Sequence, residues 1–150
     1  MVRLANKFDI PDILTMLHNY RDCTPVEFFK DYGDDEYVTK ILTHIFAGKG
    51  LILISYRNNK PAGILVSIIE NSIWDPKLSV LRELAYWVEP EFRGTTIGYR
   101  LLSKYVELGQ QFINNDRVKT LTISKMVNSP NLDYSKLGFN KVEETYSIGI

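Results

Sequence analysis

A strand, a short loop and a helix follow one another between residues 84 and 112, and this order of elements suggests phosphate binding. The apolar run at residues 84–88 predicts a strand, which stops at Pro90 because proline has no N–H to donate to a sheet. A loop that begins at Arg93 follows, and a helical apolar pattern starts at Ile97. The first N–H groups of a helix lack partners inside the helix, and the helix dipole makes that end positive. We therefore expect this loop to hold the phosphates of a phosphorylated cofactor.

Composition and charge restrict the class of protein. The chain has 150 residues, which is enough for a single domain over residues 1–150 with its own hydrophobic core. Its 18 basic and 18 acidic residues cancel, which argues against a general nucleic-acid or membrane-surface binder. The single Cys23 excludes an internal disulfide and fits a reducing compartment. Because no signal-peptide core and no long apolar run is present, we expect a cytoplasmic protein.

Hydrophobic periodicity predicts the strands and helices that would position the loop. Helical stripes of apolar residues begin near residues 10, 38 and 97, and Asp9 is expected to cap the first of these helices. Asn58 and Asn59 favour a tight hairpin turn, since asparagine tolerates positive φ. Strands are predicted at residues 2–5, 51–56, 61–70, 79–88, 119–124 and 139–148, and a short helix at 131–137 ending at Gly138. This order indicates an α/β (α+β) fold with a mixed sheet and helices on its faces.

Two motifs resemble those of the GNAT family of N-acetyltransferases. The segment Arg93-Gly94-Thr95-Thr96-Ile97-Gly98 resembles the family's acyl-CoA-binding signature Arg/Gln-x-x-Gly-x-Gly/Ala. Further along, Asn128 and Tyr134-Ser135-Lys136-Leu137-Gly138-Phe139 resemble the family's ending Asn…Tyr-x-Lys-Leu-Gly-Phe. The resemblance covers nearly the whole chain and implies the GNAT-like acyl-CoA N-acyltransferase fold. It also implies transfer of an acetyl group from acetyl-CoA to a primary amine of a small molecule, peptide or protein, with no metal.

The resemblance assigns residues to cofactor binding. Backbone N–H groups of the loop are expected to hold the pyrophosphate of CoA, and Arg93 either adds a positive charge or remains a solvated loop arginine. Backbone groups at the end of the preceding strand are expected to contact the pantetheine arm, and one N–H there to stabilise the thioester oxyanion. The expected cofactor-binding residues are Trp87, Val88, Arg93, Gly94, Thr95, Thr96, Ile97, Gly98, Tyr99 and Asn128.

The chain departs from the family pattern in two places. Thr96 occupies the position of the first glycine, where a residue without a side chain lets the backbone approach the pyrophosphate closely. The β-branched side chain could crowd the cofactor, but we expect its hydroxyl to compensate by donating to a phosphate oxygen. The second departure is that only one long strand, or two very short ones, fits after the last helix. The acceptor end of the site is therefore expected to be open, or completed by a second subunit in a homodimer.

Tyr134 and Glu83 are the expected catalytic residues. Tyr134 falls on the motif tyrosine that stands near the cofactor sulfur in the family, and it either protonates the leaving thiolate or is only a packed tyrosine. Glu83 lies on the central strand, where a carboxylate in an apolar cleft has the raised pKa that a general base needs. Strict alternation places Glu83 on the same face as Ala85 and Trp87, unless a bulge changes the phase. The alternative is that Glu83 pairs with Arg82 or faces solvent.

Other functions stay open on the sequence. The acidic run at residues 31–36 would attract a cationic amine, although acidic residues also cap and stabilise the start of a helix. A non-catalytic acyl-CoA-binding regulatory domain is compatible with Thr96 in the glycine position. A nucleotide-binding domain of another kind fits less well, because the loop lacks both the Gly-Lys-Ser/Thr of a P-loop and the three-glycine dinucleotide pattern.

Overall fold

A mixed sheet of five strands lies between helices in a computed structural model that describes residues 1–130 and 132–149. The elements are β1 (Val2–Leu4), α1 (Ile10–Asp22), α2 (Asp35–His44), β2 (Gly50–Arg57), β3 (Lys60–Asn71), β4 (Ser79–Val88), α3 (Ile97–Asn114) and β5 (Thr120–Thr122). The sheet order is β1-β2-β3-β4-β5, with antiparallel pairing throughout except that β5 runs parallel to β4. The predicted fold class is confirmed.

The β2–β3 hairpin forms where the two asparagines predicted it. Asn58 and Asn59 adopt φ angles of 52° and 59°, which lie in the left-handed region that asparagine tolerates better than most residues. None of the helices in the described residues is long and apolar enough to cross a membrane.

The two faces of the sheet carry separate hydrophobic cores. α3 packs on one face, where Leu101 and Tyr105 are fully buried against strand residues such as Leu65. α1 and α2 pack on the other face, where Ile13 and Leu42 meet the opposite side chains of the same strands. Each buried side chain of this size contributes about 1.5–3 kcal/mol, and the apolar stripes of the helices supply them at helical spacing. These cores hold the ends of β4 and α3 in place.

A bulge in β4 changes which side chains face α3. Ser67 pairs with Glu83 and Val66 pairs with Ala85, so Leu84 is an extra residue in β4. Before the bulge, Glu83 follows the alternation of Leu81, which belongs to the core on the α3 face. After the bulge, Ala85 and Trp87 belong to the core on the α1–α2 face. The prediction that Glu83 shares a face with Ala85 and Trp87 is therefore wrong, and the bulge is the physical reason.

β4 and β5 separate after a short paired stretch. Val80 pairs with Thr120, and the last pair is Arg82 with Thr122. Beyond it, no described residue continues the ladder between the two strands. Within this paired stretch, the hydroxyl of Tyr105 in α3 donates to the carbonyl oxygen of Leu81 in β4 (3.2 Å) and to that of Thr122 in β5 (2.8 Å). α3 thus fastens the two strands together where they begin to part, and a gap opens beyond.

The chain after α3 is less regular than its sequence predicts. β5 covers only Thr120–Thr122 within the predicted strand at 119–124, and the predicted helix is a single turn at Tyr134–Leu137 that ends at Gly138 with φ of 92°. The predicted start of that helix, Asn131, lies outside the described residues. Residues 139–148 form no strand, so the predicted last strand is wrong: its alternating apolar side chains, including Val142 and Tyr146, are exposed and find no neighbouring strand among the described residues.

Candidate active site

A cavity of about 460 Å³ fills the gap beyond the point where β4 and β5 separate. One wall is the end of β4, and a second is the loop that leads into α3. The end of α1 and the segment after β5 close the other sides. The lining residues are Tyr20, Cys23, Tyr86, Trp87, Val88, Phe92, Arg93, Gly94, Thr95, Gly98, Tyr99, Met126, Asn128, Ser129, Pro130, Leu132 and Tyr134.

The loop at residues 93–96 and the first turn of α3 present unpaired backbone donors to this cavity. Gly94 has a φ of 79°, a conformation that glycine adopts without strain, and so turns the chain into α3. The hydroxyl of Thr95 donates to the carbonyl oxygen of Phe92 over 2.6 Å and holds the turn closed. The N–H groups of Gly94, Gly98 and Tyr99 have no hydrogen-bond partner within residues 1–130 and 132–149. This arrangement of free N–H groups at a helix start is suited to an anion.

Thr96 sits directly before α3 with an ordinary backbone conformation. Its φ of −80° and ψ of −1° are accessible to any residue, so the fold itself does not require glycine at this position. Its side chain is exposed and makes no capping hydrogen bond with the helix. The hydroxyl therefore remains available to a ligand at the loop.

The end of β4 offers one free backbone edge to the cavity. The N–H of Glu89 donates to the carbonyl oxygen of Ala62 (2.9 Å), so the amide and carbonyl of Val88 point away from β3 and those of Trp87 point toward it. We expected the backbone of both Trp87 and Val88 to contact the pantetheine arm. For Trp87 this expectation is wrong, because its N–H and carbonyl face β3 in the sheet. Val88 keeps its amide free, while its carbonyl accepts from Nε of Arg93 over 3.0 Å.

Arg93 lies over the indole ring of Trp87 rather than over the loop. Its guanidinium carbon is 4.6 Å from the ring centroid, within the range of a cation–π contact. The ring of Tyr20 also packs edge-on against this indole, with centroids 6.1 Å apart. Trp87 is 7% exposed and its Nε1 has no hydrogen-bond partner in the described part of the chain. Trp87 thus contributes its side chain to the cavity wall and supports Arg93.

Glu83 lies at the apex of the gap between β4 and β5. It is only 5% exposed, and one carboxylate oxygen accepts from the backbone N–H of Ser124 over 3.0 Å. Burial raises the pKa of Glu83 to about 7, although the Ser124 N–H opposes the rise. The alternative in which Glu83 pairs with Arg82 is not seen, because the guanidinium of Arg82 binds Glu70 through two hydrogen bonds of 2.8 and 2.7 Å.

Tyr134 and Asn128 come to the cavity from the segment after β5. Tyr134 is half-buried, and burial together with the nearby Glu83 raises the pKa of its phenol to about 12, so it carries its proton at neutral pH. Its ring packs against Phe139 with centroids 6.2 Å apart. The side-chain amide of Asn128 donates to the carbonyl oxygen of Cys23 over 2.7 Å and ties this segment to the end of α1.

Sequence reasoning missed Tyr86, whose side chain also lines the cavity. The signal was its position two residues before Val88 on the same strand, which places both side chains on one face.

Two residues of the acidic run at 31–36 already have partners within the fold. Asp34 caps α2 by accepting from the N–H of Tyr37 (3.0 Å), and Asp35 contacts His18 (2.7 Å).

Comparisons with known proteins identify the fold and the family. No curated protein sequence matches the chain significantly. Among solved structures, it is similar to a predicted acetyltransferase of Clostridium acetobutylicum solved with acetyl-CoA, at 15% identity and a TM-score of 0.73, covering 99% of this chain and 95% of that one.

Two further structures share the fold. One is a GNAT family acetyltransferase of Staphylococcus aureus subsp. aureus USA300_TCH1516, at 20% identity and a TM-score of 0.60, covering 100% of this chain and 98% of that one. The other is AAC(6')-Iy in complex with the bisubstrate analog CoA-S-monomethyl-acetylneamine, at 15% identity and a TM-score of 0.68, covering 99% and 95%. The model of the acetyltransferase (GNAT) family matches residues 13–139. The chain therefore belongs to the GNAT family of acetyltransferases.

Proposed function

We propose that this protein transfers the acetyl group of acetyl-CoA to a primary amine of a small molecule, peptide or protein. The observation that carries the proposal is the loop at residues 93–96, whose unpaired N–H groups open onto a cavity that also contains Tyr134. Family membership supports acyl transfer, and similar structures contain acetyl-CoA or the bisubstrate analog CoA-S-monomethyl-acetylneamine. We propose further that residues 1–150 act as one cytoplasmic domain.

The residues that line the cavity fit a CoA thioester. The free N–H groups of Gly94, Gly98 and Tyr99 would hold the pyrophosphate, and the exposed hydroxyl of Thr96 adds a donor beside them. The free amide of Val88 lies where the pantetheine arm would pass along β4 and is the expected oxyanion donor. Acetyl-CoA supplies an activated acetyl thioester, and the chain supplies its position and the transfer of protons.

Glu83 and Tyr134 divide the proton transfer between them. As the amine nitrogen bonds to the acetyl carbon and the carbon–sulfur bond breaks, one amine proton passes to Glu83, through water because this carboxylate is buried behind the cavity wall. The Tyr134 phenol donates its proton to the sulfur. Once Glu83 is neutral it no longer opposes ionisation of the phenol, so the first transfer assists the second.

Release of free thiol from acetyl-CoA tests this proposal across monoamines, polyamines, amino sugars and lysine peptides. At least one amine class should support turnover, and Tyr134→Phe should lower kcat by about a hundredfold, the low end of general-acid contributions. Tyr146→Phe is the matched control, since Tyr146 is exposed and contacts only Glu144 among the described residues.

The outcomes separate the candidate functions. Binding of acetyl-CoA without turnover of any amine would support the non-catalytic acyl-CoA-binding domain instead. Turnover that survives Tyr134→Phe unchanged would remove the general-acid role while leaving acetyl transfer intact. Absence of CoA binding would overturn the proposal as a whole.

A further inference from the structure

The hydroxyl of Tyr86 is a hydrogen-bond donor without a protein partner. The bulge in β4 turns Tyr86 toward α3, where its ring is half-buried in that core and its side chain lines the cavity. No hydrogen bond joins its hydroxyl to any of residues 1–130 or 132–149. Because the side chain of Tyr86 lines the cavity, a ligand there is the expected partner of this hydroxyl.

Gly98, the second residue of α3, lies directly against this hydroxyl. A Cβ added to Gly98 would stand 2.6 Å from the Tyr86 oxygen, closer than any non-bonded contact allows. The next atom it would meet is Cγ2 of Val88 at 3.5 Å, an ordinary contact. The hydroxyl therefore occupies the space that a side chain at position 98 would fill, and the N–H of the same glycine is free.

We propose that the Tyr86 hydroxyl binds the acetyl donor, by donating a hydrogen bond to a phosphate oxygen held at the N–H of Gly98. This inference rests on the proposed function, since it takes CoA as the phosphorylated ligand of the loop. It also explains the glycine at position 98 by the presence of Tyr86.

The physical case is that two donors meet at one residue: the free N–H belongs to Gly98, and the Tyr86 hydroxyl lies against the same glycine. Burial raises the pKa of the Tyr86 phenol, so the hydroxyl keeps its proton over the whole neutral range. A hydrogen bond from a neutral donor to an anionic oxygen is stronger than one between neutral groups, and it is stronger still away from water. Tyr86 thus adds a side-chain donor at a loop where Arg93 is engaged with Val88 and Trp87.

Calorimetric titration with CoA tests the hydrogen bond. Tyr86→Phe keeps the ring and removes only the hydroxyl, and it should raise the Kd for CoA about tenfold at unchanged stoichiometry, the usual size for a bond to a charged group. The control Tyr146→Phe should bind within about twofold of wild type by the same standard. A Tyr86→Phe protein that binds CoA as tightly as wild type would overturn the inference.

A double substitution tests the contact without any ligand. Gly98→Ala should lower the melting temperature of the wild-type protein, because the new methyl group meets the Tyr86 oxygen. In the Tyr86→Phe background the same substitution should cost much less, since the nearest remaining atom is 3.5 Å away. If Gly98→Ala lowered the melting temperature equally in wild type and in Tyr86→Phe, the hydroxyl would not lie against Gly98, and the inference would be contradicted.

The wild-type titration separates this inference from the proposed function. If wild-type protein does not bind CoA, the proposed function fails first. If it binds CoA and Tyr86→Phe binds equally well, only the role of Tyr86 is lost.

Discussion

Thr96 is the residue at which the chain departs from its family's loop, and its surroundings explain why the departure is tolerated. Its backbone has the negative φ of an ordinary residue, and its exposed side chain makes no capping hydrogen bond with α3. Gly94, with φ of 79°, provides the turn that requires glycine. The cost of the extra side chain is therefore limited to crowding of the ligand, and its hydroxyl is free to offset that cost.

Substitution of Thr96 distinguishes the two effects. Thr96→Val keeps the branched shape and removes the donor, so the Kd for CoA should rise about five- to tenfold, as for loss of one hydrogen bond to a charged group. Thr96→Ser keeps the donor and removes a methyl group, and it should bind at least as tightly as wild type. Both values come from calorimetric titration. Equal affinity of Thr96→Val and wild type would show that the hydroxyl makes no contact with the ligand.

At the scale of elements, the β4 bulge decides what Glu83 does. In a regular strand, with Leu84 paired to β3 like its neighbours, Glu83 and Trp87 would lie on one face, and the carboxylate would meet α1 and α2. With the bulge, Glu83 faces the gap between β4 and β5 and reaches the N–H of Ser124. The same strand thereby offers a carboxylate at the apex of the gap and a free amide, that of Val88, at its mouth.

The buried position of Glu83 predicts a specific dependence of stability on pH. Its pKa is about 7 in the folded protein against 4.5 as the ordinary value, so the folded state binds the proton more tightly. The stabilisation from Glu83 is complete below pH 4.5 and is lost as pH rises through about 7. Relative to Glu83→Gln, the free energy of unfolding of wild type should fall by up to about 3 kcal/mol between pH 4.5 and 8, since one pKa unit is about 1.4 kcal/mol. Urea unfolding at several pH values measures it.

Glu70 provides the control on the neighbouring strand. Its hydrogen bonds with Arg82 hold the pKa of this carboxyl below its usual range, so its contribution is present at neutral pH and is lost as pH falls. Glu70→Gln should therefore change the pH profile in the opposite direction, and by less, because the pair is exposed to solvent. Parallel profiles for wild type and Glu83→Gln would contradict the burial of a titrating carboxylate.

At the scale of the whole molecule, the sequence predicted what depends on neighbours along the chain. The hairpin at Asn58 and Asn59, the helical stripes and the strand–loop–helix order all follow from local residue types, and the structure has each of them. Contacts between residues that are distant in the sequence could not be predicted from local residue types. Asp9 stands before α1 as predicted, yet its carboxylate makes no capping hydrogen bond with α1. It accepts instead from the backbone N–H of Asn6 (2.8 Å) and binds Arg3 through two hydrogen bonds of 2.8 Å. The bulge at Leu84 likewise depends on pairing with β3.

The same reason explains the error at residues 139–148. Alternation of apolar and polar residues predicts a strand only where another strand is available to pair, because a strand satisfies its backbone through its neighbours. In the described chain, Phe139 donates its N–H to Tyr134, but no backbone N–H of residues 140–149 donates to another described residue. The alternating pattern is present in the sequence, but no partner strand lies beside it in the part of the chain that the structure describes.

Amide hydrogen exchange should therefore divide the molecule into two parts. Amides of β3, which pairs with strands on both sides, should be protected with close to the full free energy of unfolding, whereas those of residues 140–149 should exchange at nearly unprotected rates. CoA should slow exchange at Gly94, Gly98 and Tyr99, whose free N–H groups would bind its phosphates, and should leave residues 140–149 unchanged. Protection of residues 140–149 comparable to that of β3 would mean that they pair as a strand in solution, contrary to this fold.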